Sequence, residues 1–406
     1  MIDARAGDAM MDGMIRRIAV ALVFIAAPAA SQEPVPSPAK VVVAFDRDSI
    51  TPLIVEGLAN KETARAVEAN DPVRIASISK LIMALTALRL MDEGKLDLNR
   101  DVSDYLGWTL RSPYHPDAPV TLVHLLSHRA GLSDKAGYII PLGESLEAKF
   151  ADPAAWRDTG PSGAAAFEYA NLGSPVVATA LEAASGERYD RLVERLLFTP
   201  LGVKACLNWI GCDAEMKARK VTLYRHTGEV AVDGADRMPP ACTIPVAEGR
   251  PCDLASYVPG TNASVFSPQG GVRIGMMDLA KIGQRLARPR TDGFLSDAAG
   301  AVWLGGFMAS TDDDQEFFCA NSLGLQMIPA PERSCLDDLF GDGRTRIGHS
   351  GEAYGLQSGL WFDPAVGDGF AFFLTQAAPP PGGEDTGGFT PREKALMARA
   401  QALLAQ

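Results

Sequence analysis

The chain has 406 residues, of which 47% are hydrophobic and 22% are charged, a composition that excludes an intrinsically disordered protein. It carries 38 Lys and Arg residues against 50 Asp and Glu residues, so its formal net charge is −12. Because phosphate contacts need clustered basic side chains, this balance disfavours nucleic acid as a partner. At about 100–200 residues per domain, the length predicts two or three structural units.

Residues 1–30 are typical of a signal peptide. Arg16 and Arg17 precede an apolar run that ends in small residues near Ala30. The run is shorter than the ~20 residues of a membrane-spanning helix, so we expect a periplasmic or secreted protein without a membrane span after processing. An uncleaved N-terminal anchor is the alternative, and Met14 is a second candidate start. Residues 31–40, rich in proline, form a linker.

The six cysteines contain no C-x-x-C pair, which argues against zinc fingers, iron–sulfur sites and thioredoxin chemistry. Export to an oxidising compartment favours disulfides instead. Sequence does not choose among the connectivities, and buried free thiols are the alternative. Our working hypothesis is local pairing, as Cys206–Cys212, Cys242–Cys252 and Cys319–Cys335.

The first predicted elements are a β-hairpin and a buried helix. Short β-branched runs at residues 41–45 and 54–56 predict the hairpin. Residues 81–91 contain only two polar side chains, Thr86 and Arg89, which predicts a helix buried on all sides, with Gly94 at its C-terminal end.

The rest of the chain divides into a helical part and a strand-rich part. Helices are predicted at residues 120–126, 174–184 and 277–282, and Thr390, Pro391 and Glu393 predict the start of a closing helix. Strand-like runs at residues 304–308, 323–327, 360–362 and 370–375 indicate an antiparallel sheet. We therefore predict an α/β (α+β) fold in which an antiparallel β-sheet is flanked by helices. The sheet is built from both chain ends, residues 41–95 and 266–406, with a mostly α-helical region at 96–265 and the active site between the two.

The strongest chemical pattern is Ser77-Ile78-Ser79-Lys80, at the start of the predicted buried helix. A serine in the first helical turn has a free backbone N–H, which can stabilise an oxyanion. Lys80, three residues on, is expected on the same helix face, and desolvation among Ile78, Leu81 and Ile82 would lower the pKa of its amine and let it accept the Ser77 proton. Ser77 as a simple helix N-cap is the alternative. The same spacing at Ser37 and Lys40 falls in the linker, without a helix to hold it.

Two further motifs, Tyr169-Ala170-Asn171 and His349-Ser350-Gly351, follow in the chain. In this order and approximate spacing, the three motifs resemble those of the serine β-lactamase and penicillin-binding-protein superfamily. The resemblance is to the branch of class C β-lactamases, serine DD-peptidases and related esterases, and it extends from about residue 40 to about residue 400. Two phrases are also similar to the family, at residues 125–132 and 267–271.

The resemblance implies a β-lactamase/transpeptidase-like fold and a role for each motif. Ser77 would be the acylated nucleophile, and Lys80 and Tyr169 would share proton transfer, in an order that stays open. The backbone N–H groups of Ser77 and Glu352 would form the oxyanion hole. No cofactor and no metal is implied. The substrate-binding residues would be Asn171, His349, Ser350 and Gly351.

Several of these residues have alternative interpretations. His226-Thr227-Gly228 also fits the third motif, but we prefer His349 because it lies in the strand-rich part near the C-terminus. His349 as a core histidine and Tyr169 as a loop anchor are simpler structural roles. His124 and His128, four residues apart, are a possible metal pair without a third ligand.

The leading hypothesis is a metal-independent serine hydrolase that acts through a Ser77 acyl-enzyme on a β-lactam, a D-amino-acid peptide or amide, or a small ester. Because His349 stands where many β-lactamases carry lysine, a DD-peptidase, amidase or carboxylesterase is favoured. The alternative is a catalytically inactive envelope protein that binds peptidoglycan or a partner. The loops at residues 241–262 and 312–314 are expected to shape the cleft.

Overall fold

The structure is a computed structural model that describes residues 37–231, 243–288, 291, 293–309, 318–330, 335, 337–377 and 388–406. The described residues belong to one compact unit, Pro36–Gln406. The predicted signal peptide, most of the linker, Cys242 and the loop at 312–314 lie outside the described residues. Within those ranges, every helix is too short or too polar to cross a lipid bilayer.

Most strands of the described chain join one antiparallel sheet. In chain order, the strands are β1 (Lys40–Phe45), β2 (Ile50–Glu56), β3 (Leu58–Asn60), β4 (Arg65–Ala66), β5 (Val73–Arg74), β6 (Ala205–Leu207), β7 (Val272–Ile274), β8 (Met308–Ala309), β9 (Ala320–Ser322), β10 (Leu325–Ile328), β11 (Arg346–Ala353), β12 (Leu356–Asp363) and β13 (Asp368–Leu374). The large sheet has the order β2-β1-β13-β12-β11-β10-β9-β8, and β5-β7-β6 form a smaller one. Lys40 of β1 lies opposite Leu374 of β13, so the predicted sheet from both chain ends is confirmed.

Helices cover both faces of this sheet. In chain order, they are α1 (Ile78–Asp92), α2 (Ser103–Leu106), α3 (Leu122–Leu126), α4 (Leu146–Phe150), α5 (Gly173–Ser185), α6 (Tyr189–Val193), α7 (Thr199–Leu201), α8 (Ala214–Arg219), α9 (Met276–Leu286), α10 (Asp297–Gly305) and α11 (Pro391–Leu404). The helices predicted at residues 81–91, 174–184 and 277–282 are confirmed as parts of α1, α5 and α9. The predicted capping box of α11 is also present, with the Glu393 carboxylate accepting the Thr390 N–H at 2.8 Å.

The large sheet alternates its side chains between two hydrophobic cores. Along β1, Val41 and Val43 enter the core that contains α1 and α9, whereas Val42 and Ala44 enter the core that contains α11. Successive strand residues point to opposite faces, and here both faces are covered, so the strand is apolar throughout. The sheet is therefore sandwiched between helices, with α1 in the larger core.

Two strand predictions need correction. The strand predicted at residues 304–308 is wrong, because α10 continues to Gly305 and β8 begins only at Met308. Ser296 starts this helix by accepting the Ala299 N–H at 3.1 Å, a cap that outweighs the strand-like composition. The strand predicted at 323–327 begins too early, because Leu323 and Gly324 form the turn between β9 and β10 and only residues 325–327 belong to β10. A Cβ at Gly324 would lie 2.8 Å from the Lys80 carbonyl oxygen, so the turn packs directly on α1.

Candidate active site

Ser77 is held at the beginning of α1 with its hydroxyl outside the helix. Its side chain makes no capping hydrogen bond, contrary to the N-cap alternative. Ala76, directly before it, has a φ of +46°. This left-handed conformation costs a residue with a Cβ about 1–2 kcal/mol and is concentrated at functional sites. The surrounding packing therefore holds a strained backbone next to the candidate nucleophile.

Lys80 lies beneath Ser77 and is only 1% exposed. Its Nζ is 3.1 Å from the Ser77 Oγ, 2.7 Å from the Asn171 Oδ1 and 3.3 Å from the Gln269 carbonyl oxygen. Burial lowers the pKa of Lys80 to about 7, and the charge of Asp134 partly opposes this change. Because burial disfavours the ammonium form, a large fraction of Lys80 is neutral near pH 7 and can accept a proton from Ser77.

Tyr169 completes the group around the Ser77 hydroxyl. The Ser77 side chain is close enough to the Tyr169 hydroxyl to act on its pKa, which this interaction lowers. Lys80 Nζ lies 4.6 Å from the centre of the Tyr169 ring. Burial of the hydroxyl end raises the pKa of Tyr169, although the residue as a whole is 37% exposed. Tyr169 is therefore protonated at neutral pH and can act as a proton donor.

Two histidines flank the Tyr169 ring. His128 stacks on it with 4.5 Å between the ring centroids, and His349 lies at 6.3 Å on a tilt. Burial, with a further contribution from Lys80, lowers the pKa of His349 to about 3, so this residue is uncharged at neutral pH. Its Nδ1 is 2.6 Å from the Ser350 carbonyl oxygen, which can only accept, so Nδ1 carries the proton and Nε2 is an acceptor.

The remaining residues of the third motif form part of β11 beside the Ser77 segment. The Ser350 N–H donates to the Gln326 Oε1 at 2.9 Å. The Ser358 hydroxyl lies 3.2 Å from the carbonyl oxygens of both Ile75 and Gly351, and so links β12, β11 and the chain before α1. Glu352 follows on the same strand. The oxyanion-hole role of the Ser77 and Glu352 N–H groups stays a prediction.

Asp134 is a residue of this site that the sequence analysis missed. Its carboxylate accepts the Asn171 N–H at 3.0 Å, the Asn171 Nδ2–H at 2.9 Å and the Leu172 N–H at 2.9 Å. The residue stands two positions beyond the family-like phrase at residues 125–132, which was the available signal. Gln269 and Gln326, which contact Lys80 and Ser350, were also not predicted as site residues.

The alternative motif at His226 lies in a different setting. Residues 225–229 form a tight turn in which the Arg225 N–H donates to the Glu229 carbonyl oxygen at 2.8 Å. The turn approaches Gln376, whose side-chain amide is 3.5 Å from the His226 carbonyl oxygen. His226 is thus on a turn, whereas His349 is on β11 with its ring close to Tyr169.

The two histidines considered as a metal pair have other partners. His124 Nδ1 accepts the Thr121 N–H at 3.3 Å and so caps α3. His128 Nδ1 accepts the Ala170 N–H at 3.3 Å. In the parts of the chain that the structure describes, no three His, Cys, Asp or Glu residues are grouped so that they could hold a metal ion.

Two of the three predicted disulfides are confirmed. Cys206 is bonded to Cys212 and Cys319 to Cys335, with Cα–Cα distances of 5.3 Å and 6.2 Å. The pairing of Cys252 with Cys242 stays a prediction, because Cys242 is not among the described residues.

Comparisons with known proteins agree with this fold. Among curated sequences, the D-alanyl-D-alanine-carboxypeptidase/endopeptidase AmpH of Escherichia coli (strain K12) is 33% identical over 140 residues, or 32% of this chain and 35% of that protein. Esterase EstB of Burkholderia gladioli is 28% identical over 170 residues, or 37% of this chain and 42% of that protein. The chain therefore spans less than half the length of these curated relatives.

Solved structures resemble the chain over most of its length. A D-amino acid amidase from Ochrobactrum anthropi SV3, complexed with L-phenylalanine, has a TM-score of 0.64 at 18% identity, covering 91% of this chain and 94% of that one. A class C beta-lactamase has a TM-score of 0.62 at 17% identity, with 91% of each chain covered. These likenesses confirm the predicted β-lactamase/transpeptidase-like fold. The sequence model of the Beta-lactamase family matches residues 7–389, and the chain belongs to this family.

Proposed function

We propose that the protein is an exported serine hydrolase that forms an acyl-enzyme on Ser77 with amide or ester substrates. The observation that carries this proposal is the buried amine of Lys80, 3.1 Å from the Ser77 hydroxyl and with a pKa of about 7. A binding protein has no need of a neutral lysine held against a serine hydroxyl. Family membership and relatives named as a peptidase, an esterase and an amidase support the same activity.

The lowered pKa of Lys80 and the raised pKa of Tyr169 favour different proton-transfer roles for the two residues. Neutral Lys80 takes the proton from the Ser77 hydroxyl, and the Ser77 oxygen attacks the carbonyl carbon of the substrate. Protonated Tyr169 donates to the leaving amine or alcohol and regains a proton from the Lys80 ammonium. The carbonyl–leaving-group bond breaks, and the acyl group stays on Ser77. A water molecule then releases the acyl group by the same groups acting in reverse.

The neutral state of His349 bears on the choice of substrate. A lysine in the third motif would offer a fixed positive charge to a substrate carboxylate, whereas His349 with a pKa of about 3 offers none at neutral pH. We therefore favour amides and esters without an obligatory carboxylate over β-lactams. The two disulfides among the described residues support an oxidising, extracytoplasmic compartment for the protein.

Intact-mass detection of the acyl-enzyme is the decisive experiment. The protein is incubated with a fluorescent penicillin, a D-amino-acid amide and a short-chain nitrophenyl ester. We expect a covalent adduct with at least one of them, and Ser77→Ala removes it. Ser185→Ala is a matched control at the far end of α5, where the hydroxyl donates to the carbonyl oxygens of Leu181 and Glu182 and accepts the Glu187 N–H.

The same mass measurement also distinguishes the proposed hydrolase from the second candidate function. An inactive envelope protein that binds peptidoglycan or a partner would give neither turnover nor an adduct with any of the three reagents. An adduct that persists in Ser77→Ala would instead assign the nucleophile to another residue. Either outcome refutes the proposal as stated.

A further inference from the structure

Asp134 lies outside the three motifs but is bonded directly to one of them. It begins a short 3-10 turn, Asp134–Ala136, which Ser133 caps. The Asp134 carboxylate is therefore not needed as the cap of its own turn and can bond to another segment of the chain. The carboxylate accepts three N–H groups from Asn171 and Leu172, at the entrance to α5. The positive end of this helix further favours a negative charge at that place.

These bonds determine which way the Asn171 amide points. A carboxylate accepts hydrogen bonds and does not donate them, so the Asn171 group that faces Asp134 must be the NH₂. The Asn171 Oδ1 is then directed to the Lys80 Nζ, at 2.7 Å. A flipped amide would place its oxygen against the carboxylate, which loses that hydrogen bond, and its NH₂ against the Lys80 nitrogen, where it would occupy the lone pair that accepts the Ser77 proton.

We propose that Asp134 is a positioning residue that acts through Asn171 to hold the Lys80 amine against the Ser77 hydroxyl. The inference rests on the proposed acyl-enzyme function. A chain of contacts, Asp134 to Asn171 to Lys80 to Ser77, carries it, and each link is a hydrogen bond of 3.1 Å or less. Asp134 itself touches neither the nucleophile nor its base.

Because Asp134 is charged, its removal should change the pH dependence of the reaction, which removal of a purely structural residue would not. Among the described residues, the titratable groups that act on or lie beside Lys80 are the carboxylate of Asp134, the ring of Tyr169 and the rings of His128 and His349. Both histidines have pKa values pushed down by burial and by Lys80, and Tyr169 has a raised one, so all three are uncharged near pH 7. Asp134 is the group that raises the pKa of Lys80 against burial. Without it, the Lys80 amine loses its proton at lower pH.

The test compares pH profiles of kcat/KM for a nitrophenyl ester that acylates the wild-type protein. Asp134→Asn keeps the shape of the side chain and removes the charge. We expect kcat/KM to fall about 10²-fold, the cost of a misplaced catalytic group, and the acidic limb of the profile to move to lower pH. Asp134→Glu keeps the charge, so its acidic limb stays at the wild-type position while kcat falls.

Asp152→Asn is the matched control. Its carboxylate also accepts a backbone N–H, that of Ala154 at 2.9 Å, and also starts a 3-10 turn in the helical region, but it has no contact with Asn171. We expect it to leave both kcat/KM and the acidic limb unchanged. The control therefore separates the loss of a negative charge in general from the loss of this one.

Two results would overturn the inference. One is a wild-type profile in Asp134→Asn, and the other is a lower kcat/KM with an unmoved acidic limb, which indicates structural damage alone. If Asp134→Asn does not fold, Asp134→Glu decides, because wild-type kcat in that variant contradicts positioning through Asn171. If the wild-type protein forms no acyl adduct, the proposed function itself is refuted. Adduct formation by the wild-type protein is therefore measured before any variant is compared with it.

Discussion

Gly351 lies where β11 packs against the segment that leads into Ser77. Its replacement by alanine tests whether the reaction depends on the spacing between these two segments. A Cβ at this position would lie 2.3 Å from the Ile75 carbonyl oxygen and 2.4 Å from the Ser358 Oγ. Since Cβ atoms essentially never come within 3.0 Å of another heavy atom, β11 and the Ile75 segment must separate by about 0.7 Å or more. Overpacking of this kind costs about 1–3 kcal/mol of stability, which a domain of this size survives.

The expected effect on activity is much larger than the effect on folding. The displacement widens the cleft between Ser77 and β11, and a misplacement approaching 1 Å lowers a rate by about 10²-fold. We expect Gly351→Ala to acylate about 10²-fold more slowly, measured by stopped-flow labelling with a fluorescent penicillin or by nitrophenyl ester turnover. Circular dichroism and thermal unfolding check that the fold persists.

Gly300→Ala is the matched control for this variant. Gly300 lies within α10 and has no heavy atom within 4 Å of the position that its Cβ would take. Alanine there is expected to keep the acylation rate and to stabilise the helix by up to about 1 kcal/mol. A wild-type acylation rate in Gly351→Ala would refute the reasoning, because it would show that the spacing between β11 and the Ser77 segment does not control the reaction.

Three further predictions concern pH and stability. The kcat/KM of the wild-type protein should rise with pH through an inflection near pH 7, because Lys80 must be neutral to act as a base; an inflection near pH 10 contradicts this role. Burial raises the pKa of Glu182 from 4.5 to about 7, so the folded protein retains a proton that the unfolded chain releases, and this stabilisation is lost as the pH rises from 4.5 through 7. Between pH 5 and pH 8, the thermal midpoint of the wild-type protein should therefore fall relative to that of Glu182→Gln. A difference between the two midpoints that is the same at both pH values would refute the assignment. Replacing Cys206 and Cys212 together by alanine should lower the free energy of unfolding by about 2 kcal/mol in a denaturant titration, as their short loop implies, and an unchanged value would show that the bond does not constrain the unfolded chain.

The sequence was sufficient to predict which motif residues lie together at the candidate active site. Ser77 and Lys80 are three residues apart on a buried helix, so their contact follows from helix geometry alone. Tyr169 was predicted from its motif, and the structure places its ring 4.6 Å from the Lys80 Nζ. The preference for His349 over His226 depended on the strand-rich context, and β11 is the strand that contains it.

The residues that hold these groups in place were not predicted, because their partners are distant in the chain. Asp134 is bonded to Asn171 across 37 residues, and Gln326 to Ser350 across 24. A single aspartate or glutamine has no periodic pattern that marks such a contact. The strand predicted at residues 304–308 failed for the opposite reason, because a local cap at Ser296 overrode an apolar composition shared by strands and helices.

The pairing of β1 with β13 also determines when the molecule can fold. The two strands are more than 300 residues apart in sequence, and β1 lies between β2 and β13 in the sheet. During synthesis, β1 therefore waits for nearly the whole chain before its second neighbour exists, and contacts of such long range slow folding. A chain that stops before residue 368 would leave one edge of the β-branched, doubly buried strand β1 unpaired, and such an edge readily pairs with other chains. Loss of residues 368–406 is thus expected to cause aggregation, although every residue of the Ser77 site would still be present.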